Sequence, residues 1–244
     1  MASILPMNED QPAAPLHGYR GDEPDNGETQ PRGLTVALSR EAGARGTTIA
    51  HKVGELLGWQ VFDQEMIDYL MVNESGQAQL FSELPDGAKA WVEARHEKLR
   101  RARSIKFDTE TDSLIRLVLA IAARGDAVIV GRGAGFFLPS ESTLHARIVA
   151  SVESRVSFLA QALRLTREEA AAELRTRDER RARYLTRTLL CNPSDPTVYD
   201  LVVNSGRLGV ESAAQFIGWA VRTKQQFVDL VGPPTAGIDD VSSS

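Results

Sequence analysis

The stretch Leu34-Thr35-Val36-Ala37-Leu38-Ser39-Arg40-Glu41-Ala42-Gly43-Ala44-Arg45-Gly46-Thr47-Thr48-Ile49-Ala50 decides the fold, because an apolar run breaks into small residues and resumes as a helical pattern. A strand that turns through glycine into a helix brings backbone N–H groups together, and the positive end of the helix dipole adds to their pull on an anion. The pattern predicts a phosphate-binding loop. Its usual form is G-x-x-x-x-G-K-[ST], with the lysine on the terminal phosphates and the hydroxyl on Mg²⁺. With Thr47 in the hydroxyl place, Gly46 takes that of the lysine, Arg45 that of the second glycine and Arg40 that of the first. Arg40, Gly43, Ala44, Arg45, Gly46, Thr47 and Thr48 are therefore expected to hold phosphate. Thr47 is the expected metal contact, and Arg45 the cation that compensates for the lysine. A plain strand-to-helix turn of small residues is the competing reading of this loop taken alone.

Outward from the loop, short β-rich runs alternate with helical patterns, which predicts a parallel sheet with helices on both faces. The expected strands are Leu34–Leu38, Trp59–Phe62, Ala127–Val130, Leu144–Ala150 and Asp200–Val203. Ile49, Val53, Leu56 and Leu57 fall on one face of the first helix, which Gly58 ends. Further helical patterns cover Gln64–Val72, Asp86–Arg103, Ser113–Arg124, Ser151–Leu163 and Val210–Leu230. Thr166-Arg167-Glu168-Glu169 has capping-box form and opens a long Arg-rich helix reaching about Leu189. A single domain is expected over 34–231, with a helical substrate-binding insert over 64–110 and an Arg-rich lid over 164–190. The segments 1–33 and 232–244, rich in polar residues, Gly and Pro without apolar periodicity, read as disordered tails. In a doubly wound sheet the ligand crevice lies beyond the carboxyl ends of the strands, so the first loop, Asp63, Gly131-Arg132-Gly133 and Asn204 are expected at one mouth.

Composition narrows the function. A formal net charge of −5 argues against an overall electrostatic grip on nucleic acid or an acidic membrane. The lone Cys191 excludes an intrachain disulfide, and no signal peptide or spanning segment is visible, so a cytoplasmic protein is expected. His51, His96 and His145 lack ligand spacing and predict no metal centre.

Phosphoryl transfer needs backbone donors, cations, Mg²⁺ and carboxylates more than covalent chemistry. Asp63, at a strand end, suits a metal water or a substrate hydroxyl, and equally a helix cap. Arg132, flanked by glycines after an apolar strand, offers a planar fork to a phosphate. Eight arginines lie between Arg164 and Arg187, with Arg175, Arg177, Arg180, Arg181 and Arg183 grouped around Asp178 and Glu179. Such crowding on one helix suits either a solvated, self-paired face or a lid that closes over a polyphosphate. The basic run from Lys89 to Lys106 reads first as a helix face.

Ser39-Arg40-Glu41-Ala42-Gly43-Ala44-Arg45-Gly46 resembles the S-R-E-x-G-S-x-G loop of the cytidylate kinase-like family, within the P-loop nucleoside monophosphate kinases. Phe62-Asp63-Gln64-Glu65-Met66-Ile67 is similar to its Y-D-K-E-L-I, and Val128-Ile129-Val130-Gly131-Arg132 to its V-I-V-G-R. Asp178-x-x-Arg181-x-x-Tyr184 and Tyr199-Asp200-Leu201-Val202-Val203-Asn204 complete the series, which runs from about Leu34 to Ile217. The resemblance implies an α/β fold of P-loop NTPase type: a five-stranded parallel sheet, helices on both faces and a helical lid. It implies ATP and Mg²⁺ as cofactors and small-molecule nucleotides as partners, with Arg132 on the acceptor phosphate and Asp178 and Arg181 on the lid. Gly133 stands where CMP kinases carry the aspartate that reads cytosine, and Leu174 where they carry a lid arginine, for which Arg175 or Arg177 stands in.

The leading expectation is an ATP-dependent kinase for a nucleoside monophosphate, CMP or dCMP first. Arg45, Asp63 and Arg181 are its catalytic residues, and Asp63, Arg132, Arg177, Asp178 and Arg181 its substrate contacts. The missing lysine also admits a nucleotide-binding regulatory protein without turnover, and the altered base-reading positions admit a phosphotransferase for a non-nucleotide acceptor. The oligomeric state stays open.

Overall fold

Alternating strand residues are buried on opposite faces, which is what a sheet covered on both sides requires. The computed structural model describes residues 33–102 and 105–231. Its strands are β1 (Thr35–Arg40), β2 (Gln60–Phe62), β3 (Ala127–Val130), β4 (Thr143–Val149) and β5 (Leu201–Asn204), and they form one parallel sheet in the order β2-β3-β1-β4-β5. The helices are α1 (Gly46–Leu57), α2 (Gln64–Val72), α3 (Glu74–Ser82), α4 (Asp86–Ala102), α5 (Thr109–Arg124), α6 (Val152–Leu163), α7 (Arg167–Arg187) and α8 (Ser205–Val231). This is the expected α/β architecture, a five-stranded parallel sheet with helices on both faces.

Val36, Leu38, Val128, Val130 and Ala146 pack on one side against Ile49, Ala50 and Val53 of α1 and Ala213, Ala214, Ile217 and Val221 of α8. Ala37, Ala127 and Ile129 face the other side, where Ile115, Val118 and Ile121 of α5 join residues of α2, α3 and α4 in a single cluster. The helices expected as a substrate-binding insert thus share one core with the sheet. A third, smaller cluster of Ala42, Val156, Leu159, Ala170 and Leu174 fastens the α6–α7 hairpin to the loop after β1. Leu174 is a core residue of that hairpin. Among the described residues no helix is long and apolar enough to cross a membrane.

Local chemistry sets the boundaries. Gly58 caps α1 at φ 72, a conformation that suits glycine. Asp63, Asn73, Asp108 and Ser151 each cap the following helix by accepting a backbone N–H. The reciprocal capping box of Thr166 and Glu169 opens α7. Three expectations are corrected. α5 begins at Thr109 rather than Ser113, because Asp108 supplies a cap ahead of the apolar face. α3 was not foreseen, since its short polar sequence carries little periodicity. Leu56 is 44% exposed, so the buried stripe of α1 narrows to Ile49, Ala50, Val53 and Gly54. Apart from Gly33, the tails expected over 1–33 and 232–244 lie outside the described residues, as does Arg103.

The helix α7 is strongly polar and only Ala170 and Leu174 of it are buried, so its start depends on the cap more than on packing. Thr166→Ala should lower stability by about 1 kcal/mol, read as a shifted midpoint in urea denaturation.

Candidate functional site

The carboxyl ends of β1, β3 and β4 open into a cavity of about 430 Å³, roofed by α7 and by the segment around Pro193 and Tyr199. β1 is central in the sheet, β2 lies to one side and β5 to the other, which places the crevice where doubly wound sheets bind ligands. Five arginines line it: Arg40, Arg132, Arg147, Arg180 and Arg181. Only two carboxylates, Glu41 and Asp178, line it with them.

Three consecutive residues at the end of β1 do different work. Ser39 Oγ lies 3.0 Å from His145 Nε2, and the opposite ring nitrogen, Nδ1, lies 2.9 Å from the Val198 carbonyl. That carbonyl accepts the Nδ1 proton, so Nε2 accepts from the serine hydroxyl. Arg40 enters the cavity. Glu41 pairs with Arg147 at 3.4 Å and Arg155 at 3.5 Å, and accepts from the Ala150 amide.

Arg155, 7% exposed, is the hub of a buried ionic cluster. Its Nη1 donates to Asp178 and to the Ala42 carbonyl, while the other Asp178 oxygen accepts the Ala42 amide at 2.8 Å. α7 is thereby tied to the loop after β1. A charged acceptor joined to a backbone donor makes a strong hydrogen bond, so Asp178 is an anchor as well as a wall of the cavity.

At the end of β3, Gly131, Arg132 and Gly133 have φ of 80, 56 and 69. For arginine this left-handed conformation is uncommon and costs free energy, and residues held so cluster at functional sites. Arg132 pairs with Asp68 of α2, while its Nε is buried without a hydrogen-bond partner, as is Tyr184 Oη; Arg181 Nη1 is buried with no hydrogen bond and only a long ion pair to Asp178 at 3.9 Å. Burial lowers the pKa of Arg132 and of Arg181, and raises the Tyr184 hydroxyl to about 12. Buried polar atoms are nearly always satisfied, so these orphans on a basic cavity mark it as a place for an anionic, hydrogen-bonding molecule.

The loop itself is open to solvent at its tip. Gly43 and Arg45 have φ of 75 and 58, and no side chain caps α1. The start of α1 therefore keeps its N–H groups for an anion. Thr47 and Thr48 are exposed on its first turn. Arg45 is exposed and stacks over Phe158 at 5.0 Å, away from the residues that line the cavity. Asp63 caps α2, its Oδ1 accepting from Met66 N at 3.0 Å, and lies 3.2 Å from His51 Nε2. Arg177 donates to Glu173 at 2.6 Å, on the same helix. Asn204 accepts from Arg207 N and caps the next helix.

Of the residues singled out from sequence, the cavity gathers Arg40, Arg132, Asp178 and Arg181. Gly43, Ala44, Arg45, Gly46, Thr47, Thr48, Asp63 and Arg177 are not among its lining residues. Ser39, Glu41 and Arg147 were missed as site residues, while Arg180 was named only within the arginine cluster and Tyr184 only within the Asp178-x-x-Arg181-x-x-Tyr184 motif; an acid directly after Arg40 in the loop is the kind of signal that finds an internal ion pair. Arg95 was read as part of a solvated helix face. It is instead 8% exposed and donates to the Phe137 carbonyl.

His145 is 4% exposed, and burial pushes its pKa down to about 4. Because the unfolded chain binds a proton near pH 6.5 and the folded one does not, its contribution is fully present above that pH. It is lost as pH falls towards 4. Urea unfolding should show stability declining below pH 6.5 by up to about 1.4 kcal/mol per pH unit from this group, and His145→Gln should flatten that part of the slope.

Residues 35–207 match the cytidylate kinase-like family. No curated protein matches the chain. Among solved structures the chain is similar to an uncharacterized protein from Eubacterium ventriosum, with 18% identity and a TM-score of 0.55 over 79% of this chain and 99% of that one. It is also similar to shikimate kinase from Bacteroides thetaiotaomicron, with 15% identity and a TM-score of 0.45 over 78% and 98% of the two chains. Deoxyadenosine kinase from M. mycoides, with products dCMP and dCDP bound, gives 14% identity and a TM-score of 0.35 over 78% and 100%.

Proposed function

The chain belongs to the cytidylate kinase-like family, and from that premise we propose that it transfers a phosphoryl group from ATP to a nucleoside monophosphate, CMP or dCMP first. The observation that carries this reading is the gathering of Arg40, Arg132 and Arg181 in one cavity at the strand ends, with buried N–H groups of Arg132 and Arg181 that make no hydrogen bond. A polyphosphate fits that donor set, and the uncapped start of α1 adds backbone amides for it. Mg²⁺ is ordinarily held by phosphates with one or two protein oxygens, which suits a site where the exposed Thr47 hydroxyl and the Asp63 carboxylate are the nearby candidates.

When bound, ATP supplies the phosphoryl group and Mg²⁺ neutralises charge on its phosphates. The chain's own residues position and compensate. Backbone amides of Gly43 and of Arg45 to Thr48 hold donor phosphates, while that of Ala44 donates to the Glu41 carbonyl. Arg132 holds the acceptor phosphate, oriented by its pairing with Asp68 and by the left-handed backbone between two glycines. Arg181, on α7, closes over the transferring group, and the Asp178 anchor sets where that helix lies. The acceptor phosphate is already anionic, so no general base is required.

Base selection has to differ from that of CMP kinases with an aspartate after the G-R pair. A side chain at Gly133 would run into Leu189 and come within 3.2 Å of Leu185, at a φ of 69. Tyr184, Ser194 and Tyr199 are the groups left to meet the rest of the acceptor. The same crowding favours a second reading, a small non-nucleotide acceptor.

Purified protein assayed for ADP production with each nucleoside monophosphate, and with small hydroxyl- and phosphate-bearing acceptors, tests the proposal. Turnover with CMP or dCMP is the expected result. Turnover confined to a non-nucleotide acceptor selects the second reading, and tight ATP binding without transfer to any acceptor selects a regulatory protein. Arg132→Ala should raise KM for the acceptor about 10- to 100-fold, the worth of a hydrogen bond to a charged group, while calorimetry finds ATP affinity unchanged.

A further inference from the structure

The cavity holds a cation that the loop template does not provide for. β1 ends at Arg40, whose side chain passes alongside the first residue of α1. A Cβ at Gly46 would lie 2.6 Å from Arg40 Cβ, 2.9 Å from its Cγ and 3.4 Å from its Cδ. At its far end the guanidinium meets the end of β3. A Cβ at Gly131 would collide with Nη1 and lie 3.1 Å from Cζ. Contacts under 3.0 Å require something to move, and carbon stems held near the backbone have little room to do so. Two glycines on separate elements therefore form the walls of a channel that one side chain fills.

Gly46 is the position at which the usual loop carries lysine. A lysine there would begin in the volume that the Arg40 stem already fills. Arg40 in turn stands where the usual loop has its first glycine. The two departures from the template are reciprocal: an arginine entering from one end of the loop excludes a lysine at the other. Arg45, the other basic residue of the loop, faces Phe158.

The surroundings of the guanidinium point to an anion. It donates to the neutral Gln64 side chain at 3.4 Å, and among the described residues no ion pair holds it. Desolvation, then the charges of Arg181 and Arg132, lower its pKa to about 10 against the smaller opposing effect of the Asp63 carboxylate, which leaves it cationic at neutral pH. A guanidinium whose protonation two neighbouring cations disfavour is relieved by a polyanion shared with them.

We infer that Arg40, threaded between Gly46 and Gly131, supplies the phosphate-binding cation that lysine supplies in the usual loop, so that this chain carries a relocated rather than a missing charge. The inference rests on the kinase reading for the identity of the anion, and it is separable from that reading by a binding assay that needs no turnover.

The test is an exchange of the two positions. Arg40→Ala, Gly46→Lys and the double variant Arg40→Gly/Gly46→Lys are compared with the parent for calorimetric affinity towards ATP and inorganic tripolyphosphate, for turnover with the best acceptor, and for thermal unfolding. Arg40→Ala should keep its melting temperature, bind tripolyphosphate at least tenfold more weakly, and lose on the order of 10³ in turnover, the usual worth of a cation on the transferred group. Gly46→Lys alone should also lose affinity, since lysine and Arg40 then compete for one volume. The double variant, which restores the usual arrangement, should regain at least tenfold over Arg40→Ala. Parent-like binding by Arg40→Ala, a gain by Gly46→Lys with Arg40 present, or no recovery in the double variant each overturns the inference.

Should the Gly46→Lys variants fail to fold, Arg40→Lys is set against Arg40→Gln. Better polyphosphate binding by the lysine supports the inference, and equal losses overturn it. Binding that depends on Arg40 without transfer to any acceptor retains the inference and rejects the kinase reading. Turnover indifferent to Arg40 does the reverse.

Discussion

Like charges brought together in a partly desolvated crevice repel one another, and they stay together only where rigid elements hold them and an anion answers them. Arg40, Arg132 and Arg181 come from β1, from the turn after β3 and from α7. The first two are fixed by the parallel ladder, in which Leu38 pairs with Val130 and the two strands end side by side. The third is fixed through Asp178, which joins α7 to Ala42 of the loop and to the buried Arg155. Remove either support and the cationic groups disperse into solvent, where each is more stable and none is useful.

The supports have a common feature, close backbone approach. Gly43 sits so near the Arg155 carbonyl that a Cβ would lie 2.7 Å from it, and Gly46 and Gly131 do the same for Arg40. Each glycine admits an arginine or its anchor to a space that any larger residue would fill. The glycine pattern of the loop therefore follows from two demands, the left-handed turn at Gly43 and passage for side chains from other elements. The same logic accounts for Gly135, where a side chain would run into the ring of His145, a ring whose hydrogen bonds to Ser39 and Val198 tie β4 to β1 and to the segment before β5.

Much of this was legible along the chain. Strand runs, the Gly58 stop and the Thr166 capping box rest on local chemistry, and the structure places each within a residue or two of its expected bounds. α3 and the start of α5 were not, because a short polar helix and a cap at Asp108 leave no apolar period to read. In the site, Arg132 and Arg181 were identifiable from their neighbours in sequence. Glu41, Arg147 and Arg155 were not, since each acquires its meaning from partners dozens of residues away.

The sequence by itself determined the parallel α/β sheet, the anion-seeking turn after β1 and a surplus of arginine near it, because periodicity, glycine and capping residues act over a few neighbouring positions. Which arginines face the crevice was decided only by the tertiary structure. Arg45 lies within the loop yet turns to Phe158, while Arg40, a residue of β1, reaches across Gly46 to Gly131. The reason is steric. The direction of a long side chain is set by the volume that distant elements leave open, and that volume exists only after the sheet has brought Gly46 and Gly131 to either side of one strand end.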